Sequence, residues 1–248
     1  MAIAEIPKKL KRDAIVEALL EVRFESAAVP EVFYGRIADH PAWGKFGQRR
    51  LPTADIPTVI RDADANLRFQ PVFELVEVGG NRVVKIGPRV ISLHILAPYL
   101  GWTKFKPQLD EMIELLFSKA SPLTVKRLGM RYLNALTKQD HGITQVGDLD
   151  LRITVAESNL GKALNLNFTR EMQDNILCTV RIATPDFISG PVPSGASTLI
   201  DVDVYTPDRF TTSESGAAKQ WVAEAHEIEK AAFFQLLTKE TIEQLREE

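Results

Sequence analysis

Residues 95–136 decide how the chain is read. They begin Ile95-Leu96-Ala97-Pro98-Tyr99-Leu100-Gly101-Trp102-Thr103-Lys104-Phe105 and close on Lys126-Arg127-Leu128-Gly129-Met130-Arg131-Tyr132-Leu133-Asn134. Between them Phe105, Leu109, Met112, Ile113, Leu116 and Phe117 recur at helical spacing, with Lys106, Asp110, Glu111 and Glu114 turned the other way. Thr103 is the expected helix cap, Pro107 fits if it lies in the first turn, and Ser121-Pro122 stops the helix. The run that follows alternates, placing Leu128, Met130, Tyr132 and Leu136 on one strand face. Strand, helix and returning strand thus fold on one another.

The same two-residue period appears upstream. Val16, Ala18, Leu20, Val22 and Phe24 share a face, while Glu17, Glu21 and Arg23 lie on the other. Pro30 opens a short helix that Pro41 ends, and residues 41–66 read as an irregular loop pinned by Trp43 and Phe46. Leu67–Val78 and Arg82–Ile86 form a hairpin about Gly79-Gly80-Asn81, and Gly87-Pro88 turns into Val90–Leu96. Such short connections permit only antiparallel pairing. Past the polar stretch 138–147 come strand-like runs at Leu149–Ala156, Leu164–Met172, Ile176–Ala183 and Thr198–Tyr205, with a turn at Asp174-Asn175. A second long helix, capped by Ser213 or Ser215, buries Trp221, Ala225, Ile228, Ala232 and Leu236.

The expected fold is therefore α+β. It is expected to consist of two loosely duplicated halves, 1–140 and 141–248. Each is an antiparallel sheet that runs into a long helix with a tryptophan near its start (Trp102, Trp221).

A formal charge of −3 and a pI near 5.9 argue against a generally cationic nucleic-acid or membrane binder. The basic arm Lys8, Lys9, Lys11 and Arg12 reads as a solvated terminus. It has no continuous apolar run behind it, because Asp13, Glu17 and Glu21 interrupt one, so no signal peptide is expected. No run of about 18 apolar residues offers a membrane span. The single cysteine, Cys178, excludes an intrachain disulfide and suits a reducing cytoplasm.

Catalytic patterns are missing: there is no G-x-S-x-G, P-loop or G-x-G-x-x-G. His226-Glu227 fails the zinc pattern because position 230 is Lys. No catalytic residue, cofactor or metal ligand is expected. Cys178 sits among alternating apolar residues and reads as an inert core thiol. Asp201 and Asp203 share a strand face, which reads as solvated rather than as a cation site.

Arg127 and Arg131 share a strand face with Gly129 between them, about 13 Å apart at strand rise. They are either an anion site or a salt-bridge ladder with Glu17 and Glu21, and the ladder is preferred. Arg127, Arg131, Trp102, Phe105 and Tyr132 are the candidate binding residues.

The spacing Gly101-Trp102-x-x-Phe105, then Arg127-x-Gly129-x-Arg131-Tyr132-x-Asn134, resembles a sporadically distributed bacterial family of about 250 residues whose function is uncharacterised. Ala14-x-x-Glu17-Ala18, Glu21-x-Arg23-Phe24 and the Trp221 to Phe234 helix extend the resemblance over nearly the whole chain. Met130 departs from the leucine that the pattern leads one to expect, a conservative packing change. The resemblance brings no established chemistry.

Three functional expectations follow. The first is a non-enzymatic interaction protein, such as the accessory, immunity or antitoxin partner of a bacterial two-gene system; a homo-oligomer is compatible with it. The second is a binder of a small apolar or anionic ligand in a helix–sheet groove, with Trp102, Phe105 and the two arginines lining it. The third is an unrecognised enzyme. A cavity of several hundred Å³ beneath the first long helix separates the second from the first.

Overall fold

A computed structural model of the chain describes residues 6–7, 10–153, 163–172, 176–187 and 192–246. β1 (Ile15–Ser26) leads to α1 (Pro30–Ala38), β2 (Phe46–Arg50), α2 (Thr58–Ala63) and a meander of β3 (Phe73–Glu77), β4 (Arg82–Gly87) and β5 (Val90–Leu96). Then come α3 (Trp102–Lys119), β6 (Leu123–Thr137), α4 (Lys138–His141), β7 (Asn165–Glu171), β8 (Leu177–Ala183) and β9 (Ala196–Tyr205). α5 (Ser215–Phe234) and α6 (Lys239–Leu245) close the chain.

All nine of these strands join one antiparallel sheet in the order β2-β3-β4-β5-β1-β6-β9-β8-β7. This corrects the expectation of a separate sheet in each half. β1 is the reason: it is long, and both of its edges are occupied. Leu20 lies opposite Leu93 of β5 on one side and Met130 of β6 on the other. β6 in turn carries β9, with Tyr132 opposite Val202. The sheet therefore passes through the 140/141 position without a break.

Strand alternation gives the sheet two unlike faces. Ala18, Leu20, Val22 and Phe24 of β1 and Leu128, Met130, Tyr132 and Asn134 of β6 are buried under the helices. α5 lies over β6, β8 and β9, α3 packs beside it against β5, and α1 packs on α3 and β4. The α3 stripe is as the spacing predicts: Phe105, Leu109, Met112, Ile113 and Leu116 are buried. Each contributes about 1.5–3 kcal/mol on burial. The opposite face carries Glu17, Glu21, Arg23, Arg127 and Arg131, away from α1, α3 and α5.

Several local expectations change. The residue before α3 is Gly101 at φ 85, a conformation L side chains avoid, so glycine sets the helix start; Thr103 lies inside, as does Pro107. α5 starts after Glu214, without a side-chain cap. The 41–66 stretch contains the edge strand β2 and the short helix α2. Residues 149–153 form no strand. Positions 154–156 and the Asp174-Asn175 turn lie outside the described residues. Among the described residues no helix is long and apolar enough to cross a membrane.

Candidate functional site

The two faces of β6 divide the candidate residues. Trp102, Phe105 and Tyr132 meet on the helix side, whereas Arg127 and Arg131 lie on the bare side, because successive strand residues point to opposite faces. The arginines therefore do not line the helix–sheet groove.

On the bare face, Arg131 donates two hydrogen bonds to Asp201 of β9, from Nε at 2.7 Å and from Nη2 at 2.5 Å. Arg127 pairs with Glu21 at 3.0 Å and Asp203 at 3.5 Å, and its guanidinium also lies over the Tyr205 ring. Arg23 takes the same Glu21 oxygen at 2.7 Å. The space above Gly129 is not open: a Cβ there would meet Arg127 Nη1 at 2.6 Å, so the guanidinium folds over the glycine. Asp201 is only 7 % exposed, so the reading of Asp201 and Asp203 as a solvated outer face gives way to an ion-pair ladder. A cavity of about 320 Å³ lies among these groups, and each of the three arginines on its wall already has a carboxylate.

The same face holds a hydrogen-bonded series. Ser92 Oγ lies 2.8 Å from His94 Nε2, and His94 Nδ1 lies 2.7 Å from Glu17 Oε1. The imidazole hydrogen bond is the main cause that holds the Glu17 carboxyl below its ordinary range, against its burial. A serine, a histidine and a carboxylate in this order form the hydrogen-bond series of a nucleophile. Ser92, however, sits in mid-strand between β1 and β4, with both neighbours paired. The ladders occupy the backbone amides on either side, so none is directed at a developing oxyanion.

The helix face holds the larger site, a partly enclosed cleft of about 570 Å³, within the usual range for small-molecule pockets. Its floor is Ala14, the first residue of β1 (Ile15) and β6 (Tyr132, Asn134), and its walls are the Tyr99–Lys104 segment entering α3 and the His226–Phe234 stretch of α5. Trp102 stacks on His226, with ring centroids 3.8 Å apart and planes 12° from parallel. Phe105 is fully buried behind them, edge-on to both Trp102 and Tyr99. Tyr99 and Tyr132 hydroxyls are 3.2 Å apart, and Tyr132 Oη is 3.5 Å from His226 Nδ1.

Burial dominates the protonation of this cleft. It pushes both phenols above their ordinary range. It lowers His226 to about 4, aided by Lys230, so the imidazole is neutral at pH 7. It raises Glu229 to about 8. Glu229 is 5 % exposed and lines the cleft, yet it makes no hydrogen bond or ion pair among the described residues. Its oxygens are not sealed from solvent, so water in the cleft reaches a carboxyl that no described protein group pairs.

Trp102 and Tyr132 were legible as candidates in the sequence; Tyr99, His226 and Glu229 were not. The stripe assigned to α5 used Ile228, but the helix buries Glu229 and leaves Ile228 half-buried. Ala218, Val222, Ala225, Glu229 and Ala232 in fact follow the three-and-four spacing, and a glutamate in an apolar series is the signal that marks the site. Among the described residues no three His, Cys, Asp or Glu side chains converge as metal donors. Comparison with known protein families, curated proteins and solved structures finds no match.

Proposed function

We propose that the chain is a binding protein that holds a small amphipathic molecule in the cleft between α3, α5 and the sheet. The observation that carries this reading is Glu229, a buried carboxyl unpaired among the described residues and facing a cleft of about 570 Å³ whose walls include Tyr99, Trp102, Phe233 and Phe234. The Trp102–His226 stack and the Tyr99–Tyr132 pair give that cleft a rigid apolar plate and a polar edge. In this reading the arginines of the opposite face hold the sheet together rather than the ligand. Native mass spectrometry of protein purified gently from its host tests it: a retained small molecule that a Trp102→Ala variant loses is expected. Only unliganded mass, with no saturation transfer to aromatic fragments in ligand-observed NMR, overturns it.

A second reading is the interaction protein, an accessory, immunity or antitoxin partner. It is supported by Val59 and Ile60, which are 82 % and 53 % exposed on α2, the helix that follows the edge strand β2 in the chain. Co-purification of a stoichiometric protein that Val59→Asp/Ile60→Asp releases is its test. A cytoplasmic setting and membership of the sporadically distributed bacterial family belong to the same proposal. So does a loose duplication, for which the strand order is suggestive: β5 flanks β1 as β9 flanks β6, and a long helix follows each.

A further inference from the structure

We infer that the molecule held in the cleft is an organic cation, an ammonium group on an apolar body, with Glu229 as its counter-ion. This rests on the cleft being a ligand site and adds the charge of the ligand to it.

Taking a carboxyl out of water without a hydrogen-bond partner is unfavourable, and proteins rarely leave one so. Among the described residues Glu229 is left without a protein partner by its place on the buried side of α5, between Ala225 and Ala232. Its partner comes from outside the chain, water in the empty cleft and a ligand in the filled one.

The groups that face this carboxyl select the partner's charge. Trp102 and Tyr99, with Phe233 and Phe234 of α5, supply aromatic rings on the cleft wall. Aromatic faces attract cations, most strongly where water is excluded. His226 and the two phenols are neutral at pH 7 and do not repel an ammonium. An ammonium pairs with the carboxylate form of Glu229, whereas an anionic ligand is opposed by it.

The cations of the wall do not replace such a ligand. Lys230 follows Glu229 directly on α5, and adjacent helix residues do not face each other. Lys230 is half-buried and Lys104 exposed, so both ammonium groups remain hydrated. Neither lies within ion-pair distance of Glu229.

The protonation of Glu229 makes the idea quantitative. In the empty cleft its carboxyl is protonated at neutral pH, because burial raises it to about 8. An ammonium needs the carboxylate, so binding releases one proton to solvent. Affinity then rises about tenfold per pH unit below 8 and levels off above it.

Isothermal titration of the intact chain tests this with three probes of one shape: 2-phenylethylamine, 2-phenylethanol and 3-phenylpropanoate. Titrations at pH 6, 7 and 8, in buffers of low and high ionisation enthalpy, count the protons released. The expected result is that the amine binds at least tenfold more tightly than either analogue at pH 8. It gains about tenfold from pH 6 to 7 and releases close to one proton at pH 7. Glu229→Gln should lose the amine preference and the proton release while keeping the alcohol. If the alcohol or the carboxylate binds as well as the amine, or amine affinity does not change with pH, the ligand is not a cation, although the cleft still binds. If none of the three binds and Trp102 fluorescence is unchanged, the cleft reading fails and the inference with it. The pH profile of the wild type decides the matter even should Glu229→Gln fold poorly.

Discussion

Replacing Glu229 by Gln should stabilise the protein, and the gain should depend on pH in a direction fixed by burial. Burial raises the folded-state carboxyl to about 8, against an ordinary value of 4.5. Between these values the unfolded chain releases its proton while the folded chain keeps it. Stability of the wild type therefore falls as pH rises from about 4.5 to 8, and this contribution is constant outside that window. The difference of 3.5 pH units corresponds to about 5 kcal/mol at ~1.36 kcal/mol per unit. That is a ceiling, because water entering the cleft solvates the carboxylate, and roughly half of it is the working figure. Gln is isosteric and does not titrate. Urea unfolding of wild type and Glu229→Gln at pH 4.5, 6, 7 and 8.5 should show midpoints that coincide in acid and separate steadily above it. The separation should reach roughly 1 M at pH 8.5, for a slope of about 2–3 kcal/mol/M. Other titrating groups are common to both proteins and cancel in the difference. A gap that does not vary with pH, or a wild type that gains on the variant as pH rises, would refute the buried-acid reasoning.

Phe105→Ala should cost about 4 kcal/mol by chemical denaturation, as loss of a fully buried aromatic does. Trp102→Ala should cost about half as much, because Trp102 is only partly buried, and should abolish binding of aromatic probes in NMR titration. Arg131→Ala leaves Asp201 buried without its two hydrogen bonds and should lower stability by about 2 kcal/mol in thermal or urea melts, with Arg131→Lys between it and wild type. Cys178 has its thiol pushed up to about 11 by burial, so iodoacetamide at pH 8 should alkylate it only after unfolding; modification of the folded protein would contradict the inert-core reading. A fluorophosphonate should leave Ser92 unlabelled, since the strand offers no oxyanion donors; labelling there, detected by peptide mass spectrometry, would make the chain an enzyme.

What was legible in the sequence is what a local period can carry. β1 alternates because it buries one face, β6 does so less strictly because Gly129 and Ala135 are covered as well, and α3 shows its stripe because it too buries one side. β2 was missed because it is an edge strand with four of its five residues exposed, which leaves no alternation to read. That the strands form one sheet is a long-range choice: nothing in β1 alone states that both of its edges will be used. The arginine ladder was legible as chemistry but not as pairing. Carboxylates flank β6 on both sides in register, Glu17 and Glu21 on β1, Asp201 and Asp203 on β9. Arg131 takes one side, while Arg127 reaches both. Glu229 escaped because Ile228 beside it fills an apolar slot on a helical projection, and a shift of one residue turns a helix by about 100°.

The two faces of β6 now explain each other. Arg131 and Tyr132 are neighbours in sequence, yet one belongs to a ladder in which each arginine has its carboxylate, and the other to a cleft in which one carboxyl has no cation. Charge alone therefore does not mark the site, since the bare face carries far more of it. A satisfied network rigidifies the sheet and leaves nothing for a ligand to complete. An incomplete one, held in place by the packing of α5 against β6 and β9, is stable only to the extent that the remaining structure compensates for it. The cost of keeping Glu229 buried falls on folding, and it is recovered when a partner binds. On this argument, a ligand that neutralises Glu229 should raise the melting temperature of the wild type more than that of Glu229→Gln.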